Sequence, residues 1–395
     1  MPRVLSLCAR TARRNAARAN LREHGAGRRG ACGEPGDYAY PAGCVLVFYS
    51  PRRNRQTQFF SSENNRPLTA VAFSGDGRLV CAAEGGRQPA VLVWDVSNGK
   101  LLAELKGHAF SVKCVGFSAD GKMLASAGSQ SDGRLHVWNW RAGMLLASAR
   151  VKSEIRSLCF SGDGQVLMSA GSQGHLKLWE LHAPSASGKC RVLKGKTAIM
   201  EGGPETAGGR CVRWPRARCL LSVLCPAQPS GRELMLMALS ASAAGEFTDI
   251  AVSKCSKAGR DFFAVTADGF LMSFDAQRSL DKWVDIKASA AYALSVTDTH
   301  IACACAEGVV RLFRAPTLEY ISTLPRPPPF RPAGAALPDK VAAAASANAF
   351  PDAIAVRLTA DNKRAGCVYA DRSFFVWDLR DGRYAPSPVS HELTQ

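Results

Sequence analysis

The chain has 395 residues, of which 47% are hydrophobic and 21% are charged, and this composition excludes an extensively disordered protein. The sequence contains no run of about 18 uninterrupted apolar residues, so no membrane-spanning helix is predicted and no membrane partner is expected. Fifty Lys and Arg against 33 Asp and Glu give a net charge of +17, which would suit a nucleic-acid partner if it were spread over the whole chain.

The positive charge is instead concentrated in two segments. Residues 1–30 contain eight Arg and one Glu, a net charge of +7. Residues 187–235 contain nine Lys and Arg and three Glu, a net charge of +6. The remainder of the chain is close to neutral, which argues against nucleic acid as its partner.

The N-terminal segment, residues 1–37, is predicted to be a basic, disordered extension. An organelle transit peptide is the alternative, because such peptides are also rich in Arg and poor in acids. The scarcity of Ser favours the extension. The first apolar segment with strand character, Cys44–Tyr49, follows it.

A motif of sequence Phe-Ser-x-Asp-Gly then occurs three times, at intervals of 44 and 43 residues. Each copy is followed by a turn and by an apolar strand that ends in Trp. The motifs begin at Phe73, Phe117 and Phe160, and the Trp residues are Trp94, Trp138 and Trp179. Asp-Gly turns between strands of alternating polarity are typical of antiparallel hairpins, so each repeat is predicted to be a β-meander.

Weaker copies of the last turn and strand extend this repeat. In each copy an acidic or amide residue precedes an aromatic residue by six positions. The pairs are Gln88 and Trp94, Asp132 and Trp138, Gln173 and Trp179, Asp268 and Phe274, Glu307 and Phe313, and Asp371 and Trp377. With Cys44–Tyr49 as a seventh unit, residues 38–395 are predicted to form an all-β, seven-bladed β-propeller whose first and fifth blades are degenerate. An insertion is expected at about residues 200–245 and a Pro/Ala-rich linker at about residues 325–350.

Several of these segments resemble the WD40 repeat, namely Gly107-His108, Val93-Trp94-Asp95 and Val376-Trp377-Asp378. The resemblance implies a WD40-type propeller with a structural tetrad made of His108, Ser126, Asp132 and Trp138. In that family the Asp accepts a hydrogen bond from the His, and the Ser hydroxyl joins the His to the Trp indole. We expect the four residues to stabilise the blade rather than to catalyse a reaction.

A second resemblance covers residues from about 38 to 382. Its segments lie mostly outside the general repeat and include Tyr40–Cys44, Gln88–Trp94, Leu280–Val284, Gly308–Phe313, Ser322–Pro327, Cys367–Asp371 and Trp377–Arg380. They resemble the first propeller of the mitogen-activated-protein-kinase-binding WD-repeat scaffolds. The resemblance implies a protein-binding scaffold in kinase signalling, located in the cytoplasm and, for some members, at the centrosome or spindle.

No catalytic, cofactor-binding or metal-binding residue is predicted, and the protein is not expected to be an enzyme. Gly195–Thr197 is similar to the end of a phosphate-binding loop, but Cys190 stands where that loop needs glycine, so an outer strand is predicted. Cys303 and Cys305 lack a second pair of metal ligands and are expected in the core. The absence of paired Cys motifs favours reduced thiols and an intracellular compartment.

Exposed turns are the candidate partner-binding surface, and Arg87, Gln88 and Gln130 are the residues predicted to form it. Simple closure of the turns is the alternative. Pro325–Pro332 contains two P-x-x-P patterns that could contact an SH3-type domain, although a stiff connector is the favoured interpretation. The predicted function is therefore a non-catalytic scaffold for other proteins. The alternative is an electrostatic binder of polyanions, RNA or the microtubule surface, that acts through the basic segments.

Overall fold

The structure is a computed structural model. It describes residues 22–23, 38–50, 53, 55–62, 64–181, 190–198, 246–253, 261–315, 317–326, 350–359, 361–371 and 373–379. The predicted insertion at 200–245, most of the linker at 325–350 and most of the predicted extension lie outside these residues.

In this part of the chain, 28 strands form seven sheets. The first sheet contains β1 (Arg22–Glu23), β2 (Tyr38–Ala42), β3 (Val45–Ser50) and β4 (Arg55–Ser61). The second contains β5 (Leu68–Phe73), β6 (Leu79–Glu84), β7 (Ala90–Asp95) and β8 (Leu101–Lys106). The third contains β9 (Val112–Phe117), β10 (Met123–Gly128), β11 (Arg134–Asn139) and β12 (Met144–Arg150).

The remaining sheets repeat the same antiparallel order. The fourth contains β13 (Ile155–Phe160), β14 (Val166–Gly171), β15 (Leu176–Glu180) and β17 (Gly195–Thr197), and β16 (Arg191–Val192) pairs in parallel with β12. The fifth contains β18 (Phe247–Val252), β19 (Phe262–Thr266), β20 (Phe270–Phe274) and β21 (Leu280–Asp285). The sixth contains β22 (Ala291–Val296), β23 (His300–Cys305), β24 (Val310–Arg314) and β25 (Tyr320–Leu324). The seventh contains β26 (Ala353–Leu358), β27 (Arg364–Tyr369) and β28 (Phe374–Asp378).

The sheets are arranged as a ring, because the first strand of each sheet packs against the first strand of the next. Strands β1 and β26 close the ring. Next to them, the ring of Tyr38 packs edge-on against Phe374 with centroids 5.2 Å apart, and a Cβ on Gly366 would lie 2.7 Å from the Tyr38 ring. The predicted seven-bladed propeller is confirmed. Arg22–Glu23, which falls within the predicted extension, supplies the first strand of the first sheet.

The core lies between neighbouring sheets. Val91 and Val93 of the second sheet, for example, form one buried cluster with Val112, Leu124 and Trp138 of the third. Each such side chain contributes about 1.5–3 kcal/mol when it is fully buried. The stability of the ring is therefore distributed over a series of similar interfaces.

The Phe-Ser-x-Asp-Gly motif forms the turn between the first two strands of a sheet. In the third sheet Ser118 Oγ donates to Asp120 Oδ1 at 2.6 Å, and this hydrogen bond lowers the pKa of the Asp120 carboxyl. Gly121 completes the turn with a φ of 68°, a conformation that favours glycine. The same Ser-to-Asp hydrogen bond occurs at Ser74 and Ser161.

Polar side chains on the first strands join neighbouring sheets near the centre of the ring. Thr69 Oγ1 donates to the carbonyl oxygen of Val112 at 2.6 Å. Asp249 joins three sheets, because it accepts from Ser157 Oγ at 2.6 Å and from the Leu294 backbone N–H at 2.8 Å. These contacts fix the spacing of the blades, and so the spacing of the turns at their ends.

Candidate functional site

The four residues of the predicted tetrad lie together in the third sheet. His108 Nδ1 is 2.7 Å from Asp132 Oδ2, and His108 Nε2 is 2.7 Å from Ser126 Oγ. The indole Nε1–H of Trp138 donates to Ser126 Oγ at 2.8 Å. The chain of hydrogen bonds joins the loop before the sheet to its second and third strands, and the side chains of His108 and Asp132 are almost fully buried. Its polar groups are used internally, which suits a structural role.

Asp132 is the centre of this network. Besides His108, it accepts hydrogen bonds from the backbone N–H groups of Ala109 at 2.7 Å and Phe110 at 3.2 Å. Burial acts to raise the pKa of the Asp132 carboxyl, but the hydrogen bonds and the charge of His108 outweigh it and hold that pKa below its ordinary value. Gly128 makes room for the carboxylate, since a Cβ there would lie 2.1 Å from Asp132 Oδ2. Asp132 therefore fixes the backbone of the loop that carries Phe110.

The second sheet contains a buried carboxylate at a different position, which the sequence analysis did not identify. Glu84, at the end of β6, is fully buried and accepts hydrogen bonds from Ser62 Oγ and, at 3.1 Å, from the Ala90 backbone N–H. Glu84 precedes its Trp by ten residues, as Gly128 does in the third sheet. The signal in the sequence was a Glu at a strand end where the neighbouring repeat has Gly.

The fourth sheet contains a relay that the sequence analysis also missed. His175 immediately precedes β15. In the structure its Nε2 is 2.8 Å from Ser169 Oγ, which accepts from Trp179 Nε1 at 2.9 Å, and its Nδ1 is 3.0 Å from Ser153 Oγ. Burial lowers the pKa of His175 to about 4, so the imidazole is neutral at physiological pH.

His136 is a second buried imidazole, next to the tetrad. Its ring centroid is 4.5 Å from that of His108 and 5.4 Å from that of Trp138. Burial, and then the neighbouring charge of His108, lower the pKa of His136 to about 4. Like His175, His136 is neutral in the folded protein at physiological pH.

The predicted rim residues flank one loop, residues 107–111. On one side Gln88 N–H donates to the Ala109 carbonyl oxygen at 2.9 Å, and Arg87 pairs with Phe110 in an isolated β-bridge. On the other side, in the turn that contains Gln130, Ser129 N–H donates to the Ser111 carbonyl oxygen at 2.7 Å. Arg87, Gln88 and Gln130 are exposed, so the structure brings all three to one end of the second and third sheets.

Hydrogen bonds that involve neighbouring side chains fix the backbone of this rim. Arg66 Nη1 donates to the carbonyl oxygens of Arg87 and Gln88, the latter at 2.8 Å. Gly86 N–H donates to Ser111 Oγ at 2.7 Å. Two adjacent turns and the loop between them therefore form one continuous layer.

A family model described as "WD domain, G-beta repeat" matches residues 99–139 and 146–180. The chain contains WD40 repeats. It is homologous to the mouse protein named "Mitogen-activated protein kinase-binding protein 1", with 36% identity over 90% of this chain and 21% of the relative. Its identity to the human protein of that name is 34%, over 90% of this chain and 22% of the relative. Its identity to mouse "WD repeat-containing protein 62" is 34%, over 88% and 20%. The chain spans about a fifth of the length of these curated relatives.

Among solved structures, a chain of "Crystal Structure of Mitotic Checkpoint Complex" matches this WD40 propeller with a TM-score of 0.61. The match covers 92% of this chain and 88% of that chain at 13% identity. At that identity the similarity shows the fold alone.

The structure also places the other segments in which the sequence analysis looked for chemistry. Gly195–Thr197 is β17, which pairs with β15 as an outer strand. Cys303 and Cys305 are buried, and burial raises the pKa of the Cys305 thiol to about 12, so both are core thiols. No cluster of three or more potential metal ligands occurs among the residues that the structure describes, and none of their helices could cross a membrane.

Proposed function

We propose that this WD40 propeller is a non-catalytic scaffold that binds other proteins and that one of its partners is a component of a mitogen-activated protein kinase pathway. The observation that supports the pathway is the homology to "Mitogen-activated protein kinase-binding protein 1" over 90% of the chain. The observation that supports protein binding is the layer of fixed, exposed turns on the second and third sheets. Loops held on a rigid frame are common recognition surfaces.

A non-catalytic role fits the polar groups of the blades. The carboxylates of Asp132 and Glu84 and the imidazole of His175 all face partners inside the fold. A general acid or base must instead reach a substrate. These groups are placed to fix loops and strands.

The proposed location is the cytoplasm, with the centrosome or spindle as a site of recruitment. The buried thiols Cys303, Cys305 and Cys367 agree with a reducing compartment, because cytosolic thiols persist in that state. Centrosome or spindle recruitment rests on the family resemblance of the sequence. Microscopy of the tagged chain in dividing cells tests it.

The experiment that tests the scaffold is affinity capture with the full chain and with a variant that lacks residues 1–21 and 200–245. The deletion keeps Arg22–Glu23, because β1 belongs to the first sheet. The proposal expects a kinase of the pathway to be recovered by both proteins at low and high salt, and then to bind the purified chain directly. Recovery of RNA or tubulin by the full chain alone, lost at high salt, would instead support the polyanion binder.

The SH3-type contact at Pro325–Pro332 is a separate prediction. Only its first two residues, Pro325 and Arg326, lie in the described part of the chain. Substitution of Pro325, Pro328, Pro329 and Pro332 by Ala removes both P-x-x-P patterns and should abolish capture by an SH3 domain if the contact exists. A stiff connector would leave capture unchanged.

A further inference from the structure

Four exposed cations surround the loop at residues 107–111. Arg87 lies in the turn before β7, Lys106 ends β8, Arg134 begins β11 and Arg150 ends β12. Phe110, 39% exposed, lies in the loop itself. We name these five residues the cationic rim.

Register places two of the cations on one face. Arg134 and Arg150 are directly opposite each other in the pairing of β11 with β12. His136, two residues after Arg134, contacts His108, so this face of the third sheet is turned toward the second sheet. The charge of Arg134 also acts on His136. Arg134 and Arg150 therefore lie on the face of the third sheet that is turned toward the loop carrying Phe110.

The cations have few anionic neighbours. Lys106 pairs with Glu104 at 3.0 Å, whereas Arg87, Arg134 and Arg150 form no ion pair with a residue that the structure describes. The nearby carboxylates, Asp132 and Glu84, are buried and accept hydrogen bonds from other donors. Like charges directly opposite in a sheet are destabilising, so a carboxylate from outside would relieve the Arg134–Arg150 pair.

On the opposite side of the ring the turns carry acids, of which Glu307 pairs with Arg326 at 3.6 Å. The corresponding turns of the fifth, sixth and seventh sheets carry exposed acids, Asp268, Glu307 and Asp371. A long polyanion laid across the ring would meet these acids. A short acidic segment that stays on the second and third sheets would not.

Phe110 adds an apolar contact at the centre of the cations. Its backbone is fixed by the hydrogen bond to Asp132 and by the bridge to Arg87, so the loop is already ordered before a partner binds. An unstacked base of a single-stranded nucleic acid can also stack on this ring, so oligouridine is the competing ligand to test. An acidic peptide with a Leu or Ile offers both kinds of contact.

We propose that the cationic rim binds an acidic peptide segment of a partner protein, with carboxylates on Arg134 and Arg150 and an apolar side chain on Phe110. This inference rests on the proposed function. It adds to that function the chemistry of the segment that the partner presents. Arg can bind carboxylate with two parallel hydrogen bonds, which favours specific contacts over a diffuse field.

The test is fluorescence anisotropy with the full chain and three labelled probes: a short Glu/Asp peptide with a central Leu, the same peptide with Ser for Leu, and single-stranded oligouridine. The paired substitutions Arg134→Glu and Arg150→Glu should weaken binding of the Leu peptide by about tenfold or more. Lys122→Glu together with Lys363→Glu makes the same charge change in exposed turns between the first two strands of the third and seventh sheets, and should change affinity by less than about twofold. Phe110→Ser should weaken only the Leu peptide.

Three results would overturn the inference: no binding of the Leu peptide, equal losses from the Lys122→Glu, Lys363→Glu control and from the reversal of Arg134 and Arg150, or tighter binding of oligouridine than of the peptide. Melting curves establish that the variants fold, and Arg134→Gln with Arg150→Gln replaces the reversal if it does not. If the reversal variant still captures the same kinase, the cationic rim is not the binding site and the scaffold remains. If the unaltered chain captures no kinase but binds the Leu peptide through the rim, the pathway assignment fails and the peptide site remains.

Discussion

The second and third sheets each contain a buried carboxylate that fixes the loop before the sheet, but the two carboxylates come from different positions. In the third sheet Asp132 lies in the turn and Gly128 ends the second strand, whereas in the second sheet Gln88 lies in the turn and Glu84 ends the strand. Each carboxylate joins the loop before its sheet to a later strand. The comparison shows that the repeat needs a buried acceptor that reaches this loop, and that it tolerates a change in the position from which the acceptor comes.

The largest expected effect is that of Asp132→Ala. The substitution leaves His108 and the N–H groups of Ala109 and Phe110 without their acceptor, so we expect a loss of about 3–5 kcal/mol in the free energy of unfolding. Urea denaturation followed by Trp fluorescence measures it. Asp120→Ala, in an exposed turn, is the control and should cost about 1 kcal/mol. Equal losses would show that the tetrad does not stabilise the sheet.

Gly128 sharpens this prediction. Gly128→Ala alone should also destabilise the protein, because its Cβ would displace the Asp132 carboxylate. In the background of Asp132→Ala the same change should cost less, since the carboxylate is gone and only the Cβ of residue 132, 2.6 Å away, is left to clash. Additive losses in this double-mutant cycle would contradict the steric account.

Glu84→Ala should have a smaller effect, about 2–3 kcal/mol by the same urea titration. Only two donors, Ser62 Oγ and the Ala90 N–H, lose their acceptor, and the Ser hydroxyl can rotate toward another. Glu84→Gln keeps an amide oxygen for Ala90 and should cost less than Glu84→Ala. A loss larger than that of Asp132→Ala would reverse the proposed ranking of the two sheets.

Acid should destabilise the fold through the buried histidines. Because the folded pKa of His175 is lowered from 6.5 to about 4, the unfolded chain binds the proton first as the pH falls. The contribution of His175 to the free energy of unfolding should be fully present above pH 6.5. It should fall by up to about 1.4 kcal/mol per pH unit as the pH is lowered from 6.5 to about 4. His175→Gln should remove this contribution, and His136→Gln should remove a similar one. Urea midpoints measured across this pH range check both, and an unchanged slope in both variants would contradict the assignment.

The sequence was sufficient for the ring because its signals are local. The Ser118–Asp120 hydrogen bond joins residues two apart, and the six-residue offset of Asp132 from Trp138 is set by the turn and strand that connect them. Glu84 and His175 were missed because their roles depend on partners in other loops, Ser62 and Ser153, which no spacing relates to them. Strands β1 and β16 are dipeptides without periodicity. The Arg134–Arg150 pair became visible only once the register of β11 and β12 was known.

The smallest expected effect is that of Gln130→Ala, and it separates the two interpretations of the predicted rim. Gln130 is exposed, and the turn is closed by backbone hydrogen bonds from Asp132 and Gly133 to the Ser129 carbonyl oxygen, both 2.9 Å long. Removing the side chain should therefore change the free energy of unfolding by less than about 0.5 kcal/mol. A loss above about 1 kcal/mol would mean that Gln130 serves the turn. With stability unchanged, any loss of partner capture by Gln130→Ala can be attributed to the interface, because the backbone that presents the cationic rim is held by Asp132 rather than by this side chain.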